Sequence, residues 1–214
     1  MIKRLIFDVD STLITNVNFV DAIKNTLIDF DIYSEERVND FIKGIGTYEG
    51  IYKNYNKADY TKHMSEHLNV TLPDDFLEVF FSHLKYAIPE KNEKLVNSIR
   101  ALAEKYELVL LTNYFSESQM NRLNGMGIGQ FFKYCYGENL IKPNQDAYIN
   151  ACGKHRTDEC VMIGDDLYLD IECAKKLGLK TILVNTKNVD VGNIDTIVVS
   201  KVEEIDDSII KTIK

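Results

Sequence analysis

A chain of 214 residues, 45% hydrophobic and 27% charged, has the make-up of a globular protein with one large domain, or a core with a modest second unit. A chain of this size buries roughly 70% of its unfolded surface and needs no covalent staples, and its four cysteines, with no Cys-x-x-Cys spacing, read as free thiols. A net charge of −8 argues against a nucleic acid polymer as partner, because phosphate contacts draw on Lys and Arg, while small phosphorylated ligands remain open.

Lys3 and Arg4 are followed by only three apolar residues before Asp8, too few for a secretory core, and no stretch reaches membrane-spanning length. The expectation is a cytoplasmic protein with no membrane association. Residues 5–9 then form an apolar run that reads as a buried strand and ends in Asp8-Val9-Asp10. Residues two apart on a strand face the same side, roughly 6–7 Å from each other. Two acids placed together at the exit of a strand cost solvation and repel each other, which is best tolerated where a cation or a reaction uses them.

A long insertion follows, from residue 15 to residue 89, with no good strand pattern. Val20, Ile23, Leu27 and Phe30 step at helical spacing, as do Val38, Phe41, Ile42 and Ile45, and 76–84 follows the helix-start signal Pro73-Asp74-Asp75. The glycine-rich stretch from Gly44 to Gly50 predicts a break between helices that dips towards the site, with Tyr48 and Lys53 as substrate contacts. His63 and His67, four apart, lack a third zinc ligand and read as solvated residues.

Beyond residue 90 the pattern alternates. An amphipathic helix (Leu95, Val96, Ile99, Leu102) leads to a strand at 108–111, and further strands are predicted at 161–163, 181–184 and 196–199. The alternation predicts an α/β fold, a parallel sheet sandwiched by helices, and such sheets place ligand chemistry at the carboxyl ends of their strands. Thr112-Asn113 closes the second run, and Ser116 with Gln119 has the spacing of a capping box. Lys142 precedes Pro143, which suits an extended lysine and the first turn of a helix. Gly164-Asp165-Asp166 closes another run, with Asp170 one helical turn on. Gly178 stops the helix marked by Ile171, Ala174 and Leu177, and a strand and a short helix follow residue 187. Acids collected at one sheet edge call for a hard divalent cation, and Mg²⁺ suits a site that also holds phosphate.

Taken in order, D-x-D-x-T, Thr112, Lys142-Pro143 and G-D-D-x-x-x-D resemble the haloacid dehalogenase superfamily of aspartate-nucleophile phosphohydrolases. The resemblance implies a Rossmann-like core formed by residues 1–14 and 90–214, with residues 15–89 inserted as a helical cap domain. It implies Asp8 as nucleophile and Asp10 as general acid and then base. Thr112 and Lys142 would hold the phosphoryl group, to which the strand end Thr112-Asn113 also offers a hydroxyl and backbone donors. Mg²⁺ would be bound by Asp8, the Asp10 carbonyl and Asp165, with Asp166 or Asp170 in support. The implied activity is hydrolysis of a small phosphorylated metabolite such as a sugar phosphate or nucleotide, with a phosphosugar mutase, or an inactive phosphate-binding or signalling protein, as alternatives. The family's metal-free carbon–halogen hydrolases lack the second aspartate, so Asp10 argues against that chemistry. Ser11 stands where the family usually has glycine, which predicts a slightly strained turn. Monomer and homodimer both remain open.

Overall fold

The computed structural model describes every residue except 189, 193 and 214. The chain enters through β1 (Arg4–Phe7) and then forms four helices in succession: α1 (Val20–Asp29), α2 (Glu35–Ile51), α3 (Lys57–Leu68) and α4 (Phe76–Leu84). After α5 (Glu93–Ala103) strands and helices alternate: β2 (Glu107–Leu111), α6 (Ser116–Gly125), β3 (Cys135–Tyr136), α7 (Gln145–Cys152) and β4 (Cys160–Gly164). The chain closes with α8 (Cys173–Lys176), β5 (Lys180–Val184), β6 (Ile197–Val199) and α9 (Asp207–Thr212). The expected strands are present. The two-residue β3 is an addition, too short for any periodicity to reveal.

Among the described residues, six strands lie in one parallel sheet of order β3-β2-β1-β4-β5-β6. Strand β1 lies between β2 and β4, with Phe7 level with Leu110 on one side and Ile163 on the other. That shared register brings the residues after three different strands to one edge. Alternation along β1 divides the core: Leu5 and Phe7 pack with Leu95 and Ile99 of α5, while Ile6 faces Tyr148 and Ala151 of α7. Both faces are covered, which is why the central strands read as unbroken apolar runs.

Helices α1–α4 have an apolar cluster of their own, centred on rings such as Phe41 and Phe80, whose centroids lie 4.9 Å apart. Phe115 and Ile141 join it from the sheet side. The predicted glycine break is absent, because α2 runs straight through Gly44, Gly46 and Gly50. At Gly44 the missing side chain permits close approach: a Cβ there would lie 2.8 Å from Met64 Sδ on α3. His63 is also buried rather than solvated, with Nε2 2.9 Å from the Gly44 carbonyl.

At the far end of the sheet Arg4 is buried, donating to Glu107 Oε2 at 2.9 Å and to the Ala151 carbonyl at 2.7 Å. Burial alone would raise the Glu107 carboxyl, but hydrogen bonds from His155, Arg4 and Lys133 override it and hold it at about 2. A carboxyl depressed on folding adds stability above its ordinary range and loses it as pH falls towards the folded value. Glu107→Gln is expected to cost about 1.5–3 kcal/mol near neutral pH, the scale of hydrogen bonds to charged groups. In denaturant titrations the gap to wild type should close between pH 5 and pH 2, and a gap independent of pH would remove the ionic explanation.

Candidate active site

Asp8 follows β1 directly, and its backbone N–H donates to the Ile163 carbonyl at 2.8 Å, so the strand pairing itself places the side chain. Lys142 Nζ donates to Asp8 Oδ1 at 2.8 Å and to Asp170 Oδ1 at 2.6 Å, all three side chains being buried. Thr12 Oγ1 sits 3.2 Å from Asp8 Oδ2 and 3.4 Å from Asp165 Oδ1. Lys187 caps the other oxygen of Asp165 at 2.9 Å. Asp170 lies on a π-helical segment, Leu167–Glu172, that runs into α8. Its carboxylate packs so closely on Gly164 that a Cβ there would fall 2.2 Å from Asp170 Oδ2, which accounts for the glycine.

Oxygens of Asp8, Asp165 and Asp170 all lie within 4.8 Å of one another. Burial pushes the Asp8 carboxyl up to about 7, with Lys142 pulling it back and Asp170 adding to the rise. For Lys142, burial opposes the charge, but Asp170 and Asp8 outweigh it and hold the ammonium above the ordinary lysine range. Negative charge is therefore in excess in a largely buried pocket. Three hard oxygen donors in that setting fit a small divalent cation.

Asn113 positions Lys142 from both sides: its Oδ1 accepts from the Lys142 N–H at 2.7 Å and its Nδ2 donates to the Lys142 carbonyl at 3.0 Å. The same Nδ2 donates to Glu49 Oε2 of α2 at 2.9 Å, and Glu49 Oε1 accepts from the Tyr55 hydroxyl. Glu49 thus links the helical unit to the loop after β2. Sequence periodicity gave no sign of it.

Asp10 does not join the acidic trio through its carboxylate. Its side chain is 54% exposed towards a cleft and is held by Arg122 Nη1 at 2.7 Å and Gln119 Nε2 at 2.6 Å. Gln119 Nε2 also donates to Thr112 Oγ1 at 3.0 Å, which leaves the Thr112 proton free for an acceptor in the site. Gln119 is therefore not a capping-box partner. No side chain of Ser116 caps α6, whose first N–H donates to Glu138 instead. The sequence carried one signal for this pair, two polar residues three apart on a helix that starts at a strand end.

Other expectations need correction. Asp166 stands outside the acidic trio and caps the π segment, accepting from the N–H groups of Tyr168 and Leu169. Pro143 precedes the Asn144 cap rather than lying in the first turn of α7, and its peptide bond with Lys142 is cis. Tyr48 has no exposed surface; it stacks among Tyr52, Tyr55 and Tyr60 and cannot touch a substrate. Lys53, by contrast, is not contradicted: it donates to the Glu49 and Gly50 carbonyls at the end of α2 and lines a cleft with Ile141 and Lys142.

Ser11 has a φ of 64°, the left-handed conformation that favours glycine. Relief of about 1–2 kcal/mol of backbone strain outweighs the extra freedom glycine gives the unfolded chain, worth about 0.4–1 kcal/mol. Ser11→Gly is accordingly expected to raise the denaturation midpoint slightly, and a lowered midpoint would show that the serine contributes more than its backbone costs.

A family model described as "Haloacid dehalogenase-like hydrolase" matches residues 5–184. The chain is 25% identical over 205 residues to glyceraldehyde 3-phosphate phosphatase of Pyrococcus abyssi, covering 85% of this chain and 81% of that protein. Among solved structures it resembles the HAD-hydrolase YfnB of Bacillus subtilis bound to magnesium, with a TM-score of 0.72, 21% identity and coverage of 95% and 96%. It also resembles 2-haloacid dehalogenase of Pseudomonas syringae, with a TM-score of 0.72, 17% identity and coverage of 99% and 100%. Site order, sheet topology and family match agree: this chain belongs to the haloacid dehalogenase-like hydrolases.

Proposed function

We propose that the chain is a Mg²⁺-dependent phosphomonoesterase that acts on a small phosphorylated metabolite through an aspartyl-phosphate on Asp8. The observation that carries this reading is the division of labour between two neighbouring acids. Asp8 lies against Lys142 in the buried trio, while Asp10 stands apart at the cleft with donors of its own. Asp8, Asp165 and Asp170 would hold the metal, which when bound would neutralise phosphoryl charge. In support, one relative is named as a phosphatase and one solved neighbour as bound to magnesium.

In the first displacement an Asp8 oxygen bonds to phosphorus as the ester P–O bond breaks. The electron pair leaves with the ester oxygen, which takes a proton from Asp10. In the second, water attacks phosphorus, gives a proton back to Asp10, and the electron pair of the Asp8–phosphorus bond returns to the carboxylate. The sum is an alcohol and inorganic phosphate from an ester and water. Lys142 balances charge at Asp8 and on the phosphoryl oxygens, and the Thr112 hydroxyl donates to one of them.

We assign residues 15–89 as a cap domain and residues 1–14 and 90–214 as the core. Between them lies a cleft of about 310 Å³, with Asp10, Asn113 and Arg122 on one side and Glu49, Phe80 and Leu84 on the other. Its size suits a compact leaving group. A three-carbon phosphate ester is the first substrate to try, from the name of the Pyrococcus relative.

The test is a screen of phosphate esters with Mg²⁺ or with a chelator. Wild type should release phosphate only with the metal, and Asp8→Asn should lose about 10³-fold or more in turnover. Lys142→Ala should lose about 10²–10³-fold, the scale of removing one charge-stabilising donor. Undiminished hydrolysis by Asp8→Asn would sink the mechanism. A second reading, carbon–halogen hydrolysis, comes from the name of the dehalogenase neighbour and has Asp10 against it; chloride release from 2-chloropropionate without phosphatase activity would establish it instead.

A further inference from the structure

We propose that Gln119 and Arg122 are positioning residues that lock the Asp10 carboxylate in the orientation needed for proton transfer, an inference that rests on the phosphatase reading above. Asp10 lies in the loop beyond β1, just before the left-handed Ser11, with more than half of its side chain exposed. Unheld, such a side chain would turn among several rotamers, and a proton-transfer group must sit within hydrogen-bond reach of its target.

The structure removes that freedom in a specific way. Each oxygen of Asp10 has its own donor, Arg122 on Oδ1 and Gln119 on Oδ2, so both the direction and the plane of the carboxylate are set. Neither donor can drift. Gln119 is fully buried, and the Arg122 side chain is 7% exposed. Arg122 Nη1 also donates to Gln119 Oε1 at 2.9 Å, which fixes the amide with Nε2 towards Asp10 and Thr112. The guanidinium is anchored at its other end by the Ala87 carbonyl, in the segment that joins α4 to α5. A single turn of α6 therefore couples the proton-transfer acid to the phosphate-facing threonine and to one of the two connections of the helical unit.

Arg122 also lines the cleft, so the rival role is direct contact with substrate. A structural role alone is the other rival. The leaving group separates them. An alkyl alcohol needs a proton as it departs, whereas p-nitrophenol leaves readily as its anion. The variants are Arg122→Met, Gln119→Met and Arg122→Lys. The lysine variant keeps the buried charge, and so the fold, but cannot bridge Asp10 and Gln119.

For glycerol phosphate, kcat should fall about 10²-fold in the methionine variants and about 10-fold in Arg122→Lys, within the range ascribed to a positioned acid or base. KM should stay within about twofold, because uniform binding is not what is lost. The first turnover of p-nitrophenyl phosphate should change by less than about threefold, since that step needs no proton. In an Asp10→Asn background the Arg122→Lys change should add nothing further.

A raised KM with kcat intact, equal losses for both leaving groups, or additive losses with Asp10→Asn would overturn the proposal. So would an Arg122→Lys variant that matches wild type on both esters. If wild type itself releases phosphate from no ester, the phosphatase reading falls first and this role with it. If wild type is active and the variants fail these criteria, only the positioning role falls.

Discussion

One ammonium group between two buried carboxylates is the constraint on which the site depends. Lys142 Nζ touches both Asp8 and Asp170, and Asp165 stands close by with Lys187 on its outer oxygen. Removing Lys142 would leave unpaired charge in a pocket from which water is largely excluded, a cost of several kcal/mol for a buried pair. The surroundings reflect this: Asn113 grips the lysine backbone on both sides, Gly164 makes room for Asp170, and β1 and β4 run in register so that Asp8 reaches the same point. The fold supplies the position and the electrostatics demand the partner.

The two acids of the opening motif differ through their surroundings rather than their chemistry. Asp8 is desolvated and short of compensating charge, which suits a group that gains by holding a cation or bonding to phosphorus. Asp10 is two residues on, open to the cleft and held by neutral and cationic donors from α6. Opposite treatment of neighbouring carboxylates is the pattern by which environments assign distinct roles to like groups.

What was legible in the chain was whatever local periodicity controls. The unbroken apolar runs of β1, β2 and β4 mark strands buried on both faces, and the acids or amides that end them mark one edge of the sheet. Less legible was anything decided by distant packing. Residues 116–125 are polar enough to read as a surface helix, yet Ser118, Gln119 and Arg122 are buried because the helix lies over the strand ends. The glycines of α2 suggested a turn, whereas Gly44 serves close contact with α3, and that contact buries Tyr48 instead of offering it to a ligand. Glu49, one residue further along, is the side chain that reaches the loop after β2.

The pairing of Lys142 with Asp8 spans 134 positions of sequence, and that of Arg122 with Asp10 spans 112. Parallel strands have no short hairpin route to one another, so these contacts require large loops to close, with β1 seated between β2 and β4. Proteins dominated by such distant contacts fold slowly compared with helical bundles. Helices α1–α4, by contrast, are contiguous in the chain and share an apolar cluster. The chemistry thus rests on contacts between residues far apart in the chain. Its recovery on refolding reports completion of the central sheet, while helix content alone does not.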